Sequence, residues 1–322
     1  MTNVARCSNS WHIAQSKYSY KKYEFAWPVP YKKNNYETTF IYGGNTGWRN
    51  LGNFMPNLEF DNVLGEASMG NSYPRNQWGV YDEDLFKYLL EVLDQNDKKK
   101  FIYVMTTTNH HPYSLPNDYK VMSIKIPKEL EQNVVNKRLG EKRLAVYQYS
   151  NEMLGRFITK IKNSKYADNT IIAVTGDHNF LDCLSYPNER LLDALSVPFY
   201  LYIPKNIRPS DVDVSVFGSH LDIMPTLYNV SLSNSDYMAM GENLISNDAK
   251  NNIIFLDTGV IMSKNGVVEH NFLNGNFSRY VWNKDKYRQV LPSQWIAKEQ
   301  DMIKHYLSAI AVSEYLIKNT EK

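Results

Sequence analysis

Thr175-Gly176-Asp177-His178 sets a hard oxygen donor beside a borderline nitrogen donor, directly after the apolar run Ile171-Ile172-Ala173-Val174. A carboxylate and an imidazole together suit a divalent ion such as Zn²⁺ or Mn²⁺. Gly176 permits close backbone approach or an unusual dihedral. The plainer alternative is a polar turn with a surface histidine. A second cluster, Thr106-Thr107-Thr108-Asn109-His110-His111-Pro112-Tyr113, collects hydroxyls, an amide and two imidazoles that can donate to phosphate or sugar oxygens. Its alternative is a polar loop. In a third, Tyr42-Gly43-Gly44-Asn45-Thr46-Gly47-Trp48-Arg49-Asn50, glycines bring backbone near a ligand. There Trp48 can face a sugar or glycerol, and Arg49 can pair with a phosphate in fork geometry. No Gly-Lys-Ser/Thr follows, so this is not a Walker loop. A fourth, Gly218-Ser219-His220-Leu221-Asp222, reads first as a helix start capped by Ser219 or Asp222, with His220 more structural than ligating.

Side chains so far apart in sequence need a scaffold that gathers them. Residues 38–42, 101–105, 170–175 and 197–203 read as strands, and 253–256 as a late one. Residues 84–93 form an amphipathic pattern through Leu85, Leu89, Val92 and Leu93, with Asp82 as the expected N-cap. Residues 144–161, 222–228 and 294–318 read as further helices, and polar segments near 31–36, 116–140, 205–215 and 231–252 as loops. This alternation predicts an α/β fold, a mainly parallel central sheet with helices on both faces. Ligands gather at the carboxyl ends of such strands, and three of the four clusters fall there. Their convergence weighs more than any single motif.

The bulk numbers exclude some classes. The net charge is +2, from 36 basic and 34 acidic residues, which gives no electrostatic grip on nucleic acid. Two cysteines, Cys7 and Cys183, build neither a disulfide framework nor a cysteine-rich zinc site. No apolar run approaches the roughly 18 residues a membrane span needs. The first 15 residues lack the apolar core of a signal peptide, which points to the cytoplasm for this chain taken by itself.

Taken in order, F-I-Y-G-G-N, W-G-V-x-D-x-x-L-F, T-x-x-N-H-x-P, T-G-D-H, V-P-F and S-H-x-D-x-x-P-T-L resemble the catalytic domain of the lipoteichoic acid synthases. The order is closer still to phosphoglycerol transferases acting on periplasmic glucans, in the sulfatase-like branch of the alkaline phosphatase superfamily. The resemblance runs from about residue 36 to about 227, and more weakly to the end. It implies that Asp177 and His178 bind a divalent metal, usually Mn²⁺, with Mg²⁺ or Zn²⁺ as alternatives. It gives His110 a catalytic contact with substrate, and Asn45, Trp48, Arg49, Asn109 and His111 substrate-binding positions. It further implies transfer of phosphoglycerol from a phosphatidylglycerol-like lipid to an envelope glycan or polymer, through a metal-assisted covalent intermediate. Intact members carry transmembrane anchors and work on the extracytoplasmic face of the bacterial inner membrane.

Two departures stand out. The family opens this domain with a strand bearing a metal-binding Glu, in a context like V-x-E-S, and then a Thr nucleophile. No such strand is legible here, so the first strand and nucleophile region read as missing or incomplete. Cys7 aligns best with the nucleophile, and its alternative is an incidental residue. The expected organisation is a single partial domain over 1–322, with 1–35 left from the nucleophile region and 250–322 a C-terminal strand and helix. Three readings follow: a transferase whose front part lies on another chain, an inactive remnant, or a related phosphoethanolamine transferase or sulfatase-like hydrolase.

Overall fold

A computed structural model describes residues 1–5, 12–124, 126, 128–179, 183–247, 249, 252–256, 258–286 and 288–320. Cys7 lies outside the described residues. The strands are β1 (Glu37–Tyr42), β2 (Asn62–Leu64), β3 (Arg75–Asn76), β4 (Gly79–Val80), β5 (Lys100–Met105), β6 (Ile172–Thr175), β7 (Phe199–Tyr202), β8 (Ile254–Phe255), β9 (Val260–Ser263), β10 (Gly266–His270), β11 (Phe277–Trp282) and β12 (Val290–Pro292). The helices are α1 (Pro28–Lys33), α2 (Leu51–Asn57), α3 (Asp82–Asp94), α4 (Lys128–Glu131), α5 (Lys137–Lys162), α6 (Leu191–Leu195), α7 (His220–Ser231) and α8 (Glu299–Asn319).

The expected parallel sheet is present as β2-β1-β5, with β1 parallel to both neighbours. β1 is apolar on both faces because both are covered. Phe40 and Tyr42 pack with Tyr23, Phe25 and the α2 residues Leu51, Phe54 and Met55. Ile41 points the other way, toward Leu85 and Leu89 of α3 and Tyr149, Met153 and Phe157 of α5. Helices therefore flank both faces, and alternate side chains of one strand hold them there.

The structure corrects three local expectations. β7 runs antiparallel to β6, and these two strands form a separate sheet. Residues 260–292 build most of a five-stranded antiparallel sheet, β12-β11-β10-β9-β8, where only one late strand was expected. Asp82 is the first residue of α3 rather than its cap, and its side chain is buried. The α7 start holds as expected: Ser219 Oγ accepts from Leu221 N, and Asp222 Oδ2 accepts from Ser219 N and Oγ. Among the described residues no helix is long and apolar enough to cross a membrane.

Distant parts of the chain meet at Lys21. Its buried ammonium donates to the carbonyl oxygens of Ile317, Lys318 and Thr320, the last turn of α8, at 3.5, 2.9 and 2.6 Å. A cation there satisfies carbonyls that the helix leaves unpaired and complements its dipole. Lys21→Met should cost about 1–2 kcal/mol, read as a lower urea midpoint. Lys22→Met should fall within about 0.5 kcal/mol of wild type, because Lys22 is exposed and only 3.5 Å from Glu59. Equal effects of the two substitutions would remove the capping role.

Candidate active site

The glycine turn at the carboxyl end of β1 is where three segments are stitched together. Gly43 N donates to Met105 O at 3.1 Å, and Val80 N donates to Gly43 O at 2.8 Å. Thr107 Oγ1, just past β5, donates to Val80 O at 2.9 Å. The backbones approach so closely because side chains are absent. A Cβ on Gly44 would lie 2.5 Å from Trp78 O. A Cβ on Gly79, which sits at φ +138°, would lie 2.1 Å from Gly43 O.

The β3–β4 hairpin holds Trp78 over the site, with Asn76 Oδ1 accepting from Trp78 N and Gly79 N. Trp78 Nε1 donates to His111 O at 2.5 Å, and its ring lies 4.0 Å from the His110 ring. On its other side Trp48 meets it edge-on at 6.5 Å. The Arg49 guanidinium lies 4.5 Å over the Trp48 ring, with Nη1 3.4 Å from His12 Nδ1. Arg49 and Asn50 both adopt positive φ, 47° and 61°. Two consecutive non-glycine residues in that region are strained unless the surroundings hold them. Asn50 Nδ2 donates to Ala14 O at 2.8 Å and helps to do so.

The 109–111 loop is anchored from beneath. Thr108 is fully buried; its N and Oγ1 donate to Asp82 Oδ1 at 3.2 and 2.7 Å, while Asp82 N donates to Thr108 Oγ1 at 2.9 Å. Burial pushes the Asp82 carboxyl above the usual carboxylate range, against the pull of these hydrogen bonds. In the loop itself, His110 Nδ1 pairs with His111 O at 2.9 Å. A carbonyl can only accept, so Nδ1 carries the hydrogen and Nε2 is left for a substrate.

The same device recurs at the Asp-His pair. His178 Nδ1 donates to Asn179 O at 2.9 Å, leaving Nε2 3.6 Å from Asp177 Oδ2. Two ligands each about 2.1 Å from one tetrahedral ion lie roughly 3.4 Å apart, so the pair is spaced to share an ion. His220 Nε2 donates to Gly176 O at 2.7 Å and ties the fourth cluster to the first. On β5, Tyr103 has its phenol pushed up to about 12, mainly by burial and secondarily by the negative charge of Asp177. Among the described residues, however, no group of three or more His, Cys, Asp or Glu is placed to hold a metal ion. Asp177 and His178 supply two donors and no complete site.

One cavity of about 2050 Å³ joins Trp48, Arg49, Asn109, His110, His111, Asp177 and His178. The first three clusters each supply residues to its lining. Asn45 is the exception: its Oδ1 accepts from Gly47 N at 2.8 Å within its own turn, and it is not among the residues lining the cavity. Trp78, His12 and Asp82 were not legible as site residues. Asn76 stands two residues before Trp78 and Gly79 just after it, a turn signature that marks Trp78 as presented by a hairpin.

A parallel sheet covered by helices has an arginine and histidines beyond its strands, and an Asp-His pair follows β6 of the neighbouring sheet: an α/β architecture. Comparison with known proteins narrows the class. Residues 26–231, more than half of the chain, match the family model described as Sulfatase, and the chain belongs to that family. Phosphoglycerol transferase I of Xanthomonas campestris pv. campestris is 27% identical over 232 residues, which is 68% of this chain and 30% of the relative. The chain thus spans less than a third of that relative's length. The lipoteichoic acid synthase LtaP from Listeria monocytogenes superposes with a TM-score of 0.79 at 18% identity, covering 99% of this chain and 78% of that one. A protein in the alkaline phosphatase superfamily from Vibrio parahaemolyticus gives 0.77 at 22% identity, covering 100% and 75%. The chain shares its fold with both of these proteins.

Proposed function

We propose that this chain belongs to a catalytic domain that moves phosphoglycerol from a phosphatidylglycerol-like lipid to an envelope glycan or polymer, on the extracytoplasmic side of a bacterial membrane. The observation carrying this reading is the single cavity that joins Trp48, Arg49, His110, Asp177 and His178. Arg49 offers a planar cation to a phosphate, and Trp48 offers an apolar face to the glycerol carbons. His110, its Nδ1 occupied by His111 O, presents Nε2 to hold or release a proton at a substrate oxygen. All 322 residues act as one domain in this reading.

Asp177 and His178 are the residues that would take a divalent ion, Mn²⁺ first, whose role would be to neutralise phosphate charge. Because two donors do not make a full site, no step is assigned to it. Among the described residues no third donor joins the pair, and the second reading is a binding remnant that keeps the pocket without turnover. Calorimetric titration should give weak Mn²⁺ binding to the wild-type chain and none to Asp177→Ala. Equal heat in both would take the ion away from this pair. Titration with glycerol 1-phosphate should show roughly tenfold weaker binding for Arg49→Ala, the loss of one charge-assisted contact. Mass spectrometry after incubation with phosphatidylglycerol separates the two readings. A mass increment of one phosphoglycerol supports turnover, and an unmodified chain supports the remnant. Phosphatidylethanolamine in the same assay tests the related transferase class.

A further inference from the structure

Asp177 and His178 follow β6 in a bend, and the segment 193–197 holds that bend from two sides. Before the pair, Val197 packs on Gly176: a Cβ added to this glycine would lie 3.4 Å from Val197 Cγ1, an ordinary contact distance. After the pair, Asn179 Nδ2 donates to Asp193 O. Asn179 also supplies the carbonyl that takes the hydrogen of His178 Nδ1. The direction of the His178 ring therefore depends on where Asn179 is pinned.

α6 carries this segment, and the C-terminal sheet carries α6. Leu191, Leu192 and Leu195 pack on Val260, Met262 and Val290. Apolar packing has no direction, so by itself it leaves a short helix free to slide or rotate. Arg288 removes that freedom. It stands two residues before β12, and its guanidinium donates from Nε to Asp193 Oδ1 at 2.8 Å and from Nη2 to Ser196 Oγ at 3.0 Å. Two contacts from one planar fork fix direction as well as distance. Arg190 Nε lies 2.6 Å from the other oxygen of Asp193, but it comes from only three residues away and ties α6 to nothing distant. Arg288 also adopts φ +64°, where residues other than glycine are uncommon. Such backbone persists when its surroundings over-determine it. Here the two contacts of the guanidinium contribute to that.

We propose that Arg288 is a positioning residue for His178: by gripping Asp193 and Ser196 it pins Asn179, which keeps the hydrogen on His178 Nδ1 and leaves Nε2 bare. A bare Nε2 is what a histidine needs in order to act there as a ligand or a base. A free imidazole side chain in water prefers the opposite form, with its hydrogen on Nε2. The bond to Asn179 O has to outweigh that preference, so a weakened grip shows as a change of tautomer. Arg288 does not line the cavity and acts only through Asp193, Ser196 and Asn179. The inference concerns the Asp-His pair of the transferase reading, but it stands on hydrogen bonds within the chain and needs neither substrate nor ion.

The test is long-range proton–nitrogen NMR of the 322-residue chain carrying nitrogen-15 histidine, at about pH 9, where an ordinary imidazole is neutral. The His178 signals are those missing from His178→Gln. In the wild-type chain they should show mainly the Nδ1–H form. In Arg288→Met the ratio of Nδ1–H to Nε2–H should fall about tenfold, the worth of one hydrogen bond. Arg288→Lys can reach Asp193 but not both partners, and its ratio should lie between these two. Arg190→Met strips a charge from the same carboxylate without touching Ser196 or the sheet, and it should keep the wild-type ratio. Circular dichroism shows whether each variant is folded. Should Arg288→Met fail to fold, Ser196→Ala removes one of the two contacts and should move the ratio the same way by about threefold. A wild-type ring with its hydrogen on Nε2 overturns the proposal, as does an unchanged ratio in a folded Arg288→Met or, failing that, in Ser196→Ala. Equal shifts in Arg288→Met and Arg190→Met overturn it too, because they would report only the charge on Asp193. Since the readout is a tautomer and not turnover, an inactive chain with these ratios would sink the transferase reading and leave the role of Arg288 standing.

Discussion

Gly79→Ala should destabilise the chain by about 3 kcal/mol or more, the sum of backbone strain and overpacking. Gly79 sits at φ +138°, and a Cβ there would meet Gly43 O at 2.1 Å and Gly44 Cα at 2.6 Å. Those are backbone atoms and cannot swing aside like the end of a side chain. The turn cannot easily retreat either, since Gly43 is bonded to both Met105 and Val80. Whatever relaxation occurs moves Trp78, the neighbour that touches both His110 and His111. Glycerol 1-phosphate affinity should therefore fall along with the urea midpoint. Gly155→Ala is the matched control. It lies within α5 with nothing within 4 Å of an added Cβ, so alanine there should stabilise by about 0.5–1 kcal/mol. A Gly79→Ala protein as stable as wild type would mean that the turn is not held where the geometry puts it.

Asp82→Ala should cost about 3 kcal/mol, because it strips the acceptor from two buried donors, the N–H and the hydroxyl of Thr108. The loop carrying Asn109, His110 and His111 begins at the next residue. Loss of this anchor should loosen it, and faster hydrogen exchange over 106–113 measures that. Asp82→Asn keeps an acceptor and should cost less. The acid also makes a signed pH prediction. Burial raises the carboxyl pKa in the folded state above its unfolded value. Its contribution is then full below the unfolded pKa and declines as pH rises through the folded one. Relative to Asp82→Asn, the wild-type chain should therefore lose stability from acid toward neutral pH. Urea titrations of the two proteins at several pH values give the comparison. A difference that grows in the opposite direction would show that the Thr108 hydrogen bonds outweigh burial.

Much of this was readable in the residues, and the limits have physical causes. β1, β5 and β6 are apolar runs that stop at glycine or polar residues, and each of the three clusters after them lines or borders the cavity. The periodicity of α3 marks its buried face through Leu85, Leu89 and Val92. Strand direction, by contrast, is not written in composition. β7 looks like any buried strand, and its antiparallel pairing with β6 depends on how the 176–198 connection returns. The C-terminal sheet was missed despite a local signal. Lys264-Asn265-Gly266 follows Val260–Ser263, and in the sheet Ser263 pairs with Gly266 across the two-residue turn Lys264-Asn265. Asn-Gly between apolar runs is a strong hairpin mark. An acid ahead of an apolar helix usually caps it, whereas Asp82 is the first residue of α3. Its true partner, Thr108, is 26 residues away and is brought there by the sheet. Asn45 was placed by likeness to a motif, whereas its amide serves the turn itself.

The contact between Lys21 and the end of α8 bears on the order of assembly. Lys21 Nζ and Thr320 O are 299 positions apart, and Ile317 is buried among Tyr23 and Phe25. During synthesis the early segment must wait for almost all of the remaining chain before its partner emerges. Closing so long a loop carries a large entropy cost, and structures rich in such distant contacts fold slowly. Within the buried cluster around Tyr23, the contact with Ile317 is therefore the last to become available, because the other members lie within residues 4–60.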